Sequence, residues 1–409
     1  MHPVLAGKTV VELGTLIAAP FAGHLLAQLG ASVIKVEPPA GDQTRSMMRG
    51  GPSGTFIAYS RGKKSICIDL KKDEGRAVFA RVLGKADVVI HNLAPASLSS
   101  LGVTYEDCMR ANPDLVYCHI QGYAAGPRHD EIASNPVVEA ATGVMYMHRI
   151  DGRPTRLGPS HHDQFAGSYA VIGILAALAA DRNDKKAHCV EVGLFETGLH
   201  IAARDIVGAQ LKTQLGVKAS TESSAGEFSM PGYGAYETSD RRWIFLLMLT
   251  DGHWQKFGAA MNLDEVRDEQ YATSRQRKKL RPQVEAIVNA AVAAVTFDDI
   301  AVRLRRAGVG FTEVKDTAQV LNDAQAQQPG KLQRVPFGGL QFDVPNFPLP
   351  NQLGDGAGEL PPPLLGQHSL EIMRSLGISD AECAAIVACG AVRAGGEGSA
   401  SWAPPRNRS

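Results

Sequence analysis

The sequence predicts an α/β protein whose first part has a largely parallel sheet and whose second part is a smaller α+β domain. Through residues 1–200, short β-branched runs alternate with helical patterns, and repeated βαβ units of this kind have parallel strands. Near residue 220, a stretch of small, polar and turn-forming residues separates this part from a hairpin pattern and several helices. The length of 409 residues is sufficient for two domains.

Strand and helix patterns alternate regularly in the first part. The first strand, over 8–13, is followed by a helix over 20–29 that Gly30 ends, and this strand–turn–helix order recurs. A long helix over 164–180 carries apolar residues on adjacent faces, so it is predicted to be buried nearly all round. Further strands are predicted over 32–36, 65–70, 87–90, 115–120 and 190–192, and further helices over 75–83 and 194–215.

The large domain is predicted over 1–220 and again over 330–392, with the small domain over 225–325 between them. Pro and Gly are frequent in 336–366, which predicts an extended segment with few core positions. The tail, 394–409, has the composition of a disordered segment. Within these ranges, a hairpin is predicted over 235–247 and helices over 282–295, 299–306 and 369–392.

Composition excludes several classes of function. The 42 basic and 42 acidic residues give a formal net charge of zero, whereas a nucleic-acid binder or a polybasic membrane-surface protein needs excess cations. No run of about 18 apolar residues predicts a membrane span, and the N-terminus lacks the basic-then-apolar layout of a secretory leader. The six cysteines form no C-x-x-C pair. We therefore expect reduced thiols, no metal site and a cytoplasmic location.

Asp163, at the start of the long helix, has two interpretations. As a helix N-cap, its carboxylate accepts backbone N–H bonds, and Asp is among the preferred caps. The same carboxylate, held ionised by the helix dipole, is also a credible nucleophile toward a reactive carbonyl. The turn at 14–20 lacks both Gly-rich nucleotide-binding patterns, and the chain has no G-x-S-x-G elbow of a serine hydrolase.

Five stretches together resemble the class III coenzyme A transferases. That family includes formyl-CoA and carnitine CoA transferases and, as relatives, the 2-methylacyl-CoA racemases. The resemblance covers residues 5–392, and the order and spacing of the stretches make it specific. The stretches are Leu5–Leu13 with Pro20 and Leu26–Pro38, Gly41-Asp42 with Arg45, Arg61–Lys71 with Ala86–Asn92, Asp163 with its helix, and Pro363–Ser369.

The resemblance implies a fold and a reaction. The implied fold is a Rossmann-like large domain with an inserted smaller α+β domain, in a homodimer of two interlocked rings. The implied reaction moves coenzyme A from an acyl-CoA thioester to a carboxylic acid, with CoA as a substrate and no other cofactor. Asp163 is the implied nucleophile, through an aspartyl–acyl anhydride and an aspartyl–CoA thioester. An ordinary carboxyl pKa of about 4 keeps such a nucleophile ionised at neutral pH.

The resemblance also implies binding residues. Ile17 stands where the family often has Gln or His, and the flap over the active site has one glycine here, Gly226, where formyl-CoA transferases have a run. The residues implied to contact CoA are Leu16, Ile68, Lys71, Asn92, Leu93, Ser97 and Leu101. The residues implied to contact the acyl group or to form the flap are Ile17, Asn135, Ala225, Gly226 and Glu227.

Two alternatives stay open at this point. A racemase or isomerase needs a His-Asp pair where this chain has Ser134 and Asn135, although His129-Asp130 lies five residues earlier. A non-catalytic CoA-binding protein is the other alternative. The acyl group is not readable from sequence, but arginines that clamp a second carboxylate favour a short dicarboxylic acid such as succinate, malate or mesaconate. The candidate arginines are Arg45, Arg49, Arg149 and Arg156.

Overall fold

A computed structural model describes residues 3–48, 52–180, 188–216, 230–349 and 360–395. The chain forms two compact units. The first consists of residues 1–146, 155–217 and 328–409, and the second of residues 147–154 and 218–327. The boundaries predicted near 220 and 330 lie close to these divisions, whereas the sequence-based boundaries place 147–154 in the large domain. The predicted flap residues Ala225, Gly226 and Glu227 and most of the predicted disordered tail lie outside the described residues.

The strands have the following bounds. They are β1 Thr9–Leu13, β2 Ser32–Glu37, β3 Lys63–Ile68, β4 Val88–His91, β5 Val116–Gln121, β6 Arg149–Ile150, β7 Arg153–Pro154, β8 Cys189–Gly193, β9 Gly234–Glu237, β10 Trp243–Leu247, β11 Gly310–Glu313, β12 Leu332–Phe337, β13 Leu340–Pro345 and β14 Val392–Arg393.

The helices have the following bounds. They are α1 Ala18–Gln28, α2 Gly54–Ser60, α3 Asp73–Leu83, α4 Pro95–Leu101, α5 Tyr105–Ala111, α6 Asn135–Ala141, α7 Val144–Met147, α8 His161–Ala179, α9 Leu194–Ile201, α10 Ala203–Gln214, α11 Asp251–Met261, α12 Ser274–Lys279, α13 Arg281–Ala293, α14 Phe297–Ala307, α15 Thr317–Val320, α16 Ser369–Ser375 and α17 Asp380–Ala388. Short 3-10 turns cover Gln43–Arg45, Asp264–Arg267 and Glu269–Tyr271.

A seven-stranded sheet in the order β14-β3-β2-β1-β4-β5-β8 forms the centre of the first unit. All neighbours in it are parallel except β14, which is antiparallel to β3 at one edge. This result confirms the prediction of a mixed α/β architecture with a mainly parallel sheet. The chain runs from β1 outward to β2 and β3, and then returns to β4 on the other side of β1. The strand order therefore reverses between β1 and β4, and in such sheets ligands bind at the carboxyl ends of the strands beside this point.

The alternation of side chains along the strands builds one core on each face of this sheet. Val10 and Val33 pack on the face covered by α1 and α8, whereas Val11 and Val36 pack on the face covered by α3 and α16. Helices α1 and α8 approach closely at Gly167, where a Cβ atom would lie 2.8 Å from the carbonyl oxygen of Ala18. This contact brings the starts of both helices to the same end of the sheet.

The second unit has its own core. Strands β9, β10 and β11 form an antiparallel sheet, and β9–β10 is the hairpin that the sequence predicted. Trp254 and Phe257 of α11 pack with Ile300 and Leu304 of α14 in that core. The predicted helices over 282–295 and 299–306 correspond to α13 and α14.

Two sequence-based predictions are wrong, and a third needs a smaller correction. Residues 332–345 form the hairpin β12–β13 instead of an extended segment, because Gly338 and Gly339 both adopt positive φ and make a tight turn. The region 369–392, predicted to be helical, contains α16 and α17 and ends in the edge strand β14. Helix α8 is not buried all round in the single chain, since Ile172 is 61% exposed and Phe165 46%. No described helix combines the length and hydropathy that a membrane crossing requires.

Candidate active site

A cavity of about 440 Å³ lies in the first unit at the carboxyl ends of β1, β4 and β5. Its walls come from the turn after β1, the loop after β4, residues 129–135 and Asp163 of α8. A second cavity, of about 510 Å³, is lined by residues 13–15, 36–43 and 68–71. Thr15 and Leu93 line both cavities. The two cavities are therefore neighbours that share part of their lining.

The turn between β1 and α1 is held by one side chain. The Asn92 amide nitrogen donates to the carbonyl oxygen of Thr15, and its side-chain oxygen accepts from the Thr15 backbone N–H, both at 2.9 Å. The next residue, Leu16, has a φ of 62°, which is uncommon for a residue with a branched side chain. Because Asn92 bonds both backbone groups of Thr15, it fixes the turn that presents Leu16 to the cavity.

Asp163 lines the first of these cavities, but it is not the N-cap of its helix. Helix α8 begins at His161, Ser160 occupies the N-cap position, and Asp163 lies in the first turn. The predicted capping bonds from backbone N–H groups to the Asp163 carboxylate are therefore absent, and no other described residue donates a hydrogen bond to it. The lone pairs of this carboxylate stay available to a ligand in the cavity.

The start of α8 is capped from another helix. The side-chain oxygen of Asn135, in the first turn of α6, accepts from the His162 backbone N–H at 3.0 Å. Glu139, one turn further along α6, accepts from the Leu157 backbone N–H at 2.5 Å and contacts the Asn135 amide at 3.4 Å. Both residues are buried. Asn135 and Glu139 thus position the first turn of α8, and with it the carboxyl group of Asp163.

Burial raises the pKa of Asp163 to about 6, and the nearby Arg156 guanidinium opposes this shift. This value corrects the expectation of an ordinary pKa near 4. A half-buried carboxylate with few donors is poorly solvated, so it binds a proton more tightly than in water. It still remains mostly ionised at neutral pH. The neighbouring His162 has its pKa lowered by burial, so its ring is neutral there.

The structure brings most of the predicted contact residues to the two cavities. Leu16, Ile17, Asn92, Leu93 and Asn135 line the cavity of Asp163, and Ile68, Lys71, Leu93 and Leu101 line the second cavity. Ser97 is an exception, since it lines neither cavity and its hydroxyl donates to the Ala94 carbonyl oxygen. Asn135 lies at the cavity, but its amide group contacts protein atoms.

Sequence reasoning missed Thr15 and Gln121, which also line the cavity of Asp163, and it considered His129 only for the racemase alternative. Gln121 is the last residue of β5, and both polar atoms of its buried amide lack a partner among the described residues. An unpaired buried amide is unfavourable unless a ligand or water satisfies it. The position of Gln121 directly after the strand predicted over 115–120 was the signal available in the sequence.

The four candidate arginines differ in their surroundings. Arg45 pairs with Glu37 through two nitrogen–oxygen contacts of 2.6 Å and donates to the Pro363 carbonyl oxygen. Arg49 lies outside the described residues, and Arg149 belongs to the second unit. Arg156 is exposed, donates to the Ser160 hydroxyl at 3.2 Å and acts electrostatically on Asp163. Arg156 does not line the cavity, but it is the candidate whose charge acts on Asp163.

Comparison with known proteins identifies relatives along nearly the whole chain. Residues 5–369 match the family model described as CoA-transferase family III. The succinyl-CoA–D-citramalate CoA-transferase of Chloroflexus aurantiacus is 28% identical, over 93% of this chain and 96% of that protein. The succinyl-CoA:glutarate CoA-transferase of Mus musculus is 29% identical, over 91% of this chain and 86% of that protein.

A solved structure shares the architecture. The crystal structure of a CAIB/BAIF family protein from Brucella suis superimposes with a TM-score of 0.80 and 28% sequence identity. The match covers 92% of this chain and 100% of that chain.

We predict that Asp163→Asn raises the melting temperature at pH 8 and that this gain is about half as large at pH 5. The folded-state pKa of about 6 lies above the ordinary value of 3.8, so the free energy of unfolding falls as pH rises through this window. The neutral amide avoids that loss at high pH. Thermal melts of both proteins from pH 5 to 8 test the prediction. Asp130→Asn, at an exposed carboxyl of the same cavity, is the control, and an equal response in both variants would contradict the burial of Asp163.

Proposed function

We propose that this chain, which belongs to CoA-transferase family III, moves coenzyme A from an acyl-CoA thioester to a carboxylic acid through covalent intermediates on Asp163. Membership of the family makes it an enzyme of the transferase class. The observation that carries the covalent part of the proposal is the Asp163 carboxyl, which lines a cavity and receives no hydrogen bond from any described residue. A carboxylate in that state is an effective nucleophile.

The two neighbouring cavities support a binding mode for an elongated ligand such as acyl-CoA. In this proposal, the thioester lies beside Asp163 and the pantetheine arm passes the shared wall of Thr15 and Leu93. The nucleotide lies in the second cavity, where Lys71 supplies a cation for a phosphate group. In this proposal, the turn after β1 lies beside the pantetheine arm, and Asn92 holds that turn in position.

The first half of the proposed reaction breaks the thioester. An Asp163 oxygen attacks the acyl carbonyl carbon, a C–O bond forms, and the C–S bond breaks as CoA leaves with the electron pair as a thiolate. The thiolate then attacks the Asp163 side-chain carbonyl carbon. The anhydride C–O bond breaks, and the acyl group leaves as a carboxylate, so Asp163 now carries CoA as a thioester. No net proton transfer is needed while the carboxyl group starts ionised.

The second half repeats these steps in reverse order with the acceptor acid. The acceptor carboxylate attacks the aspartyl thioester carbon. A new anhydride between Asp163 and the acceptor forms, and CoA leaves as a thiolate. The thiolate attacks the acceptor's carbonyl carbon in that anhydride, and Asp163 leaves as a carboxylate. The product is the acceptor's CoA thioester, and the nucleophile is restored.

We further propose that the acid is a short dicarboxylate such as succinate, malate or mesaconate. Two similar proteins whose names include succinyl-CoA support this part of the proposal. Arg156 supports it too, because an exposed guanidinium beside Asp163 can pair with a second carboxylate.

A homodimer is also part of the proposal. Helix α10 has no buried residue in the single chain, and its Val207 and Leu211 are 53% and 51% exposed. Ile172 and Phe165 add apolar surface on α8. Apolar surface of this kind on several helices is typical of a protein–protein interface. A second copy of this chain is the partner that the family resemblance implies.

We predict that Asp163→Ala abolishes CoA transfer, because no other group replaces the covalent carboxylate. Wild-type protein incubated with succinyl-CoA and then hydroxylamine should carry a modification on Asp163. Peptide mass spectrometry locates it, and Asp130→Ala, which removes another cavity carboxyl, should still form it. Turnover in Asp163→Ala would contradict the mechanism. His129 also lines the cavity, so exchange of the α-hydrogen with deuterated solvent, without an acceptor acid, would favour racemisation instead.

We predict that Arg156→Gln lowers kcat/KM for succinate about tenfold or more, because a charge-assisted pair to the second carboxylate is lost. Butyrate, which has the same number of carbons but one carboxylate, is the matched control acid and should be much less affected. Rates at pH 8 keep Asp163 ionised in both proteins. Arg156→Lys should retain part of the succinate activity. An equal loss for both acids would contradict a clamp role.

We predict that the chain elutes with twice its mass of 43.6 kDa in size-exclusion chromatography with light scattering. The double variant Val207→Glu with Leu211→Glu should shift toward the single-chain mass, since two charges then replace exposed apolar side chains on α10. Val302→Glu, at an exposed apolar residue of α14, is the control. A wild-type protein of single-chain mass would contradict the dimer.

A further inference from the structure

A cluster of six ionisable side chains lies between the first three strands and the segments that follow them. Three are acids and three are bases, so the charges balance. All but Arg45 are less than one tenth exposed, and the Arg45 side chain is 11% exposed. The members of this buried charge cluster are Glu12, Glu37, Asp42, Lys35, Lys63 and Arg45.

Lys35 is at the centre of the buried charge cluster. Its ammonium group lies 2.8 Å from a Glu12 oxygen, 2.8 Å from an Asp42 oxygen and 2.8 Å from the Gly14 carbonyl oxygen. These contacts use all three of its N–H bonds. Burial by itself lowers the pKa of Lys35, but the two carboxylates outweigh it and hold the pKa above its ordinary value. The side chain is therefore a fixed, charged donor to Gly14.

Each base of the buried charge cluster also donates a hydrogen bond to one backbone carbonyl oxygen that takes no part in the hydrogen bonds between strands. Lys35 donates to Gly14 and Lys63 to Pro20, each at 2.8 Å, and Arg45 donates to Pro363 at 2.9 Å. These carbonyls belong to the turn after β1, the first helical turn of α1 and the segment before α16. Two of these carbonyls, those of Gly14 and Pro363, lie on irregular backbone, which the bases therefore hold in position.

The acids of the cluster hold backbone N–H groups in the same way. Glu37 accepts from the backbone of Asp42 at 3.1 Å, and Asp42 accepts from the backbone of Thr44 at 2.8 Å. Glu37 is the last residue of β2 and Asp42 lies on the loop that follows, and both line the second cavity. Gly14 lines that cavity too, and the next two residues, Thr15 and Leu16, line the cavity of Asp163. The cluster thus connects the walls of both cavities.

Stability alone does not account for the cluster. Replacing buried ion pairs by apolar side chains of similar volume is often neutral or stabilising, because the desolvation cost of the charges disappears. The surroundings are also adapted to it, since a Cβ atom on Gly23 would lie 2.2 Å from a Glu12 oxygen. Helix α1 therefore packs directly against the Glu12–Lys63 pair.

We propose that Lys35, anchored by Asp42 and Glu12, is a positioning residue that sets the turn at Gly14–Leu16 for binding and reaction of the CoA thioester. The inference rests on the proposed function, because it assigns the turn to that substrate. Lys35 does not touch the reacting atoms. It acts through its hydrogen bond to the Gly14 carbonyl oxygen. A displacement of about 1 Å in residues that position a substrate can lower the reaction rate about a hundredfold.

The test is a charge-balanced double variant, Lys35→Met with Asp42→Asn, which removes one positive and one negative charge. Glu12 keeps Lys63 as its partner, and the amide introduced at position 42 still offers an oxygen to the Thr44 backbone. Lys8→Met with Asp87→Asn is the matched control, because it removes an ion pair at the amino end of the same sheet. Circular dichroism and thermal melts establish folding, and kinetics with succinyl-CoA are measured below the melting temperature.

We expect kcat/KM for succinyl-CoA to fall about tenfold or more in the Lys35 variant, with changes in both KM and kcat. Binding of free coenzyme A, measured by calorimetry, should weaken, and the amides of Thr15 and Leu16 should exchange hydrogen faster while those of β5 do not. The control variant should match the wild type. A folded Lys35 variant with wild-type kcat, KM and amide exchange overturns the inference.

A second variant keeps the inference testable if the first variant does not fold. Asp42→Asn alone removes one anchor of Lys35 but keeps its pair with Glu12, and it should also raise KM for succinyl-CoA, whereas an unchanged KM overturns the inference. A wild-type protein that transfers no CoA to any acid tested overturns the proposed function instead. In that case coenzyme A binding and amide exchange at Thr15 and Leu16 still decide whether Lys35 positions the turn.

Discussion

The two hydrogen bonds between the Asn92 side chain and the Thr15 backbone join the two halves of the sheet where its strand order reverses. The chain continues from β1 toward one edge of the sheet and from β4 toward the other, so the loops after these two strands diverge. They form the walls of a crevice at the carboxyl ends of the strands. Without a bond across that crevice, these loops would be independent. With it, the turn that carries Leu16 in an uncommon backbone conformation has a defined position, and both cavities share a wall.

A second interaction, the capping of α8 from α6, explains how a carboxyl group becomes reactive in the proposed mechanism. Helix α8 carries Asp163 to the crevice, and its first turn is capped by Asn135 from α6 rather than by Asp163 itself. Because another residue caps the helix, the Asp163 carboxylate is left free of hydrogen bonds within the described residues. Its raised pKa reflects that poor solvation. A destabilised, accessible anion is a common feature of sites where stability is given up for reactivity.

Local sequence patterns predicted the strands β1 to β5 well, because β-branched runs between turn residues depend on nearby positions only. Features that depend on distant residues were not predictable. Asp is a preferred cap, yet the cap of α8 comes from a residue on another helix. The raised pKa of Asp163 depends on burial. The ion pair between Arg45 and Glu37 depends on packing between β2 and the following loop. The hairpin at 332–345 was missed because its many Pro and Gly residues resemble an extended linker.

Oxygen-18 transfer tests the covalent role of Asp163 most directly. In a single turnover with succinyl-CoA and an acceptor acid labelled with oxygen-18 in its carboxylate, the proposed steps leave one acceptor oxygen on the restored Asp163 carboxyl. Peptide mass spectrometry should then find one heavy oxygen in the peptide that contains Asp163 and none in peptides that contain Asp130. Formation of the acceptor's CoA thioester with no heavy oxygen in the protein would contradict the account.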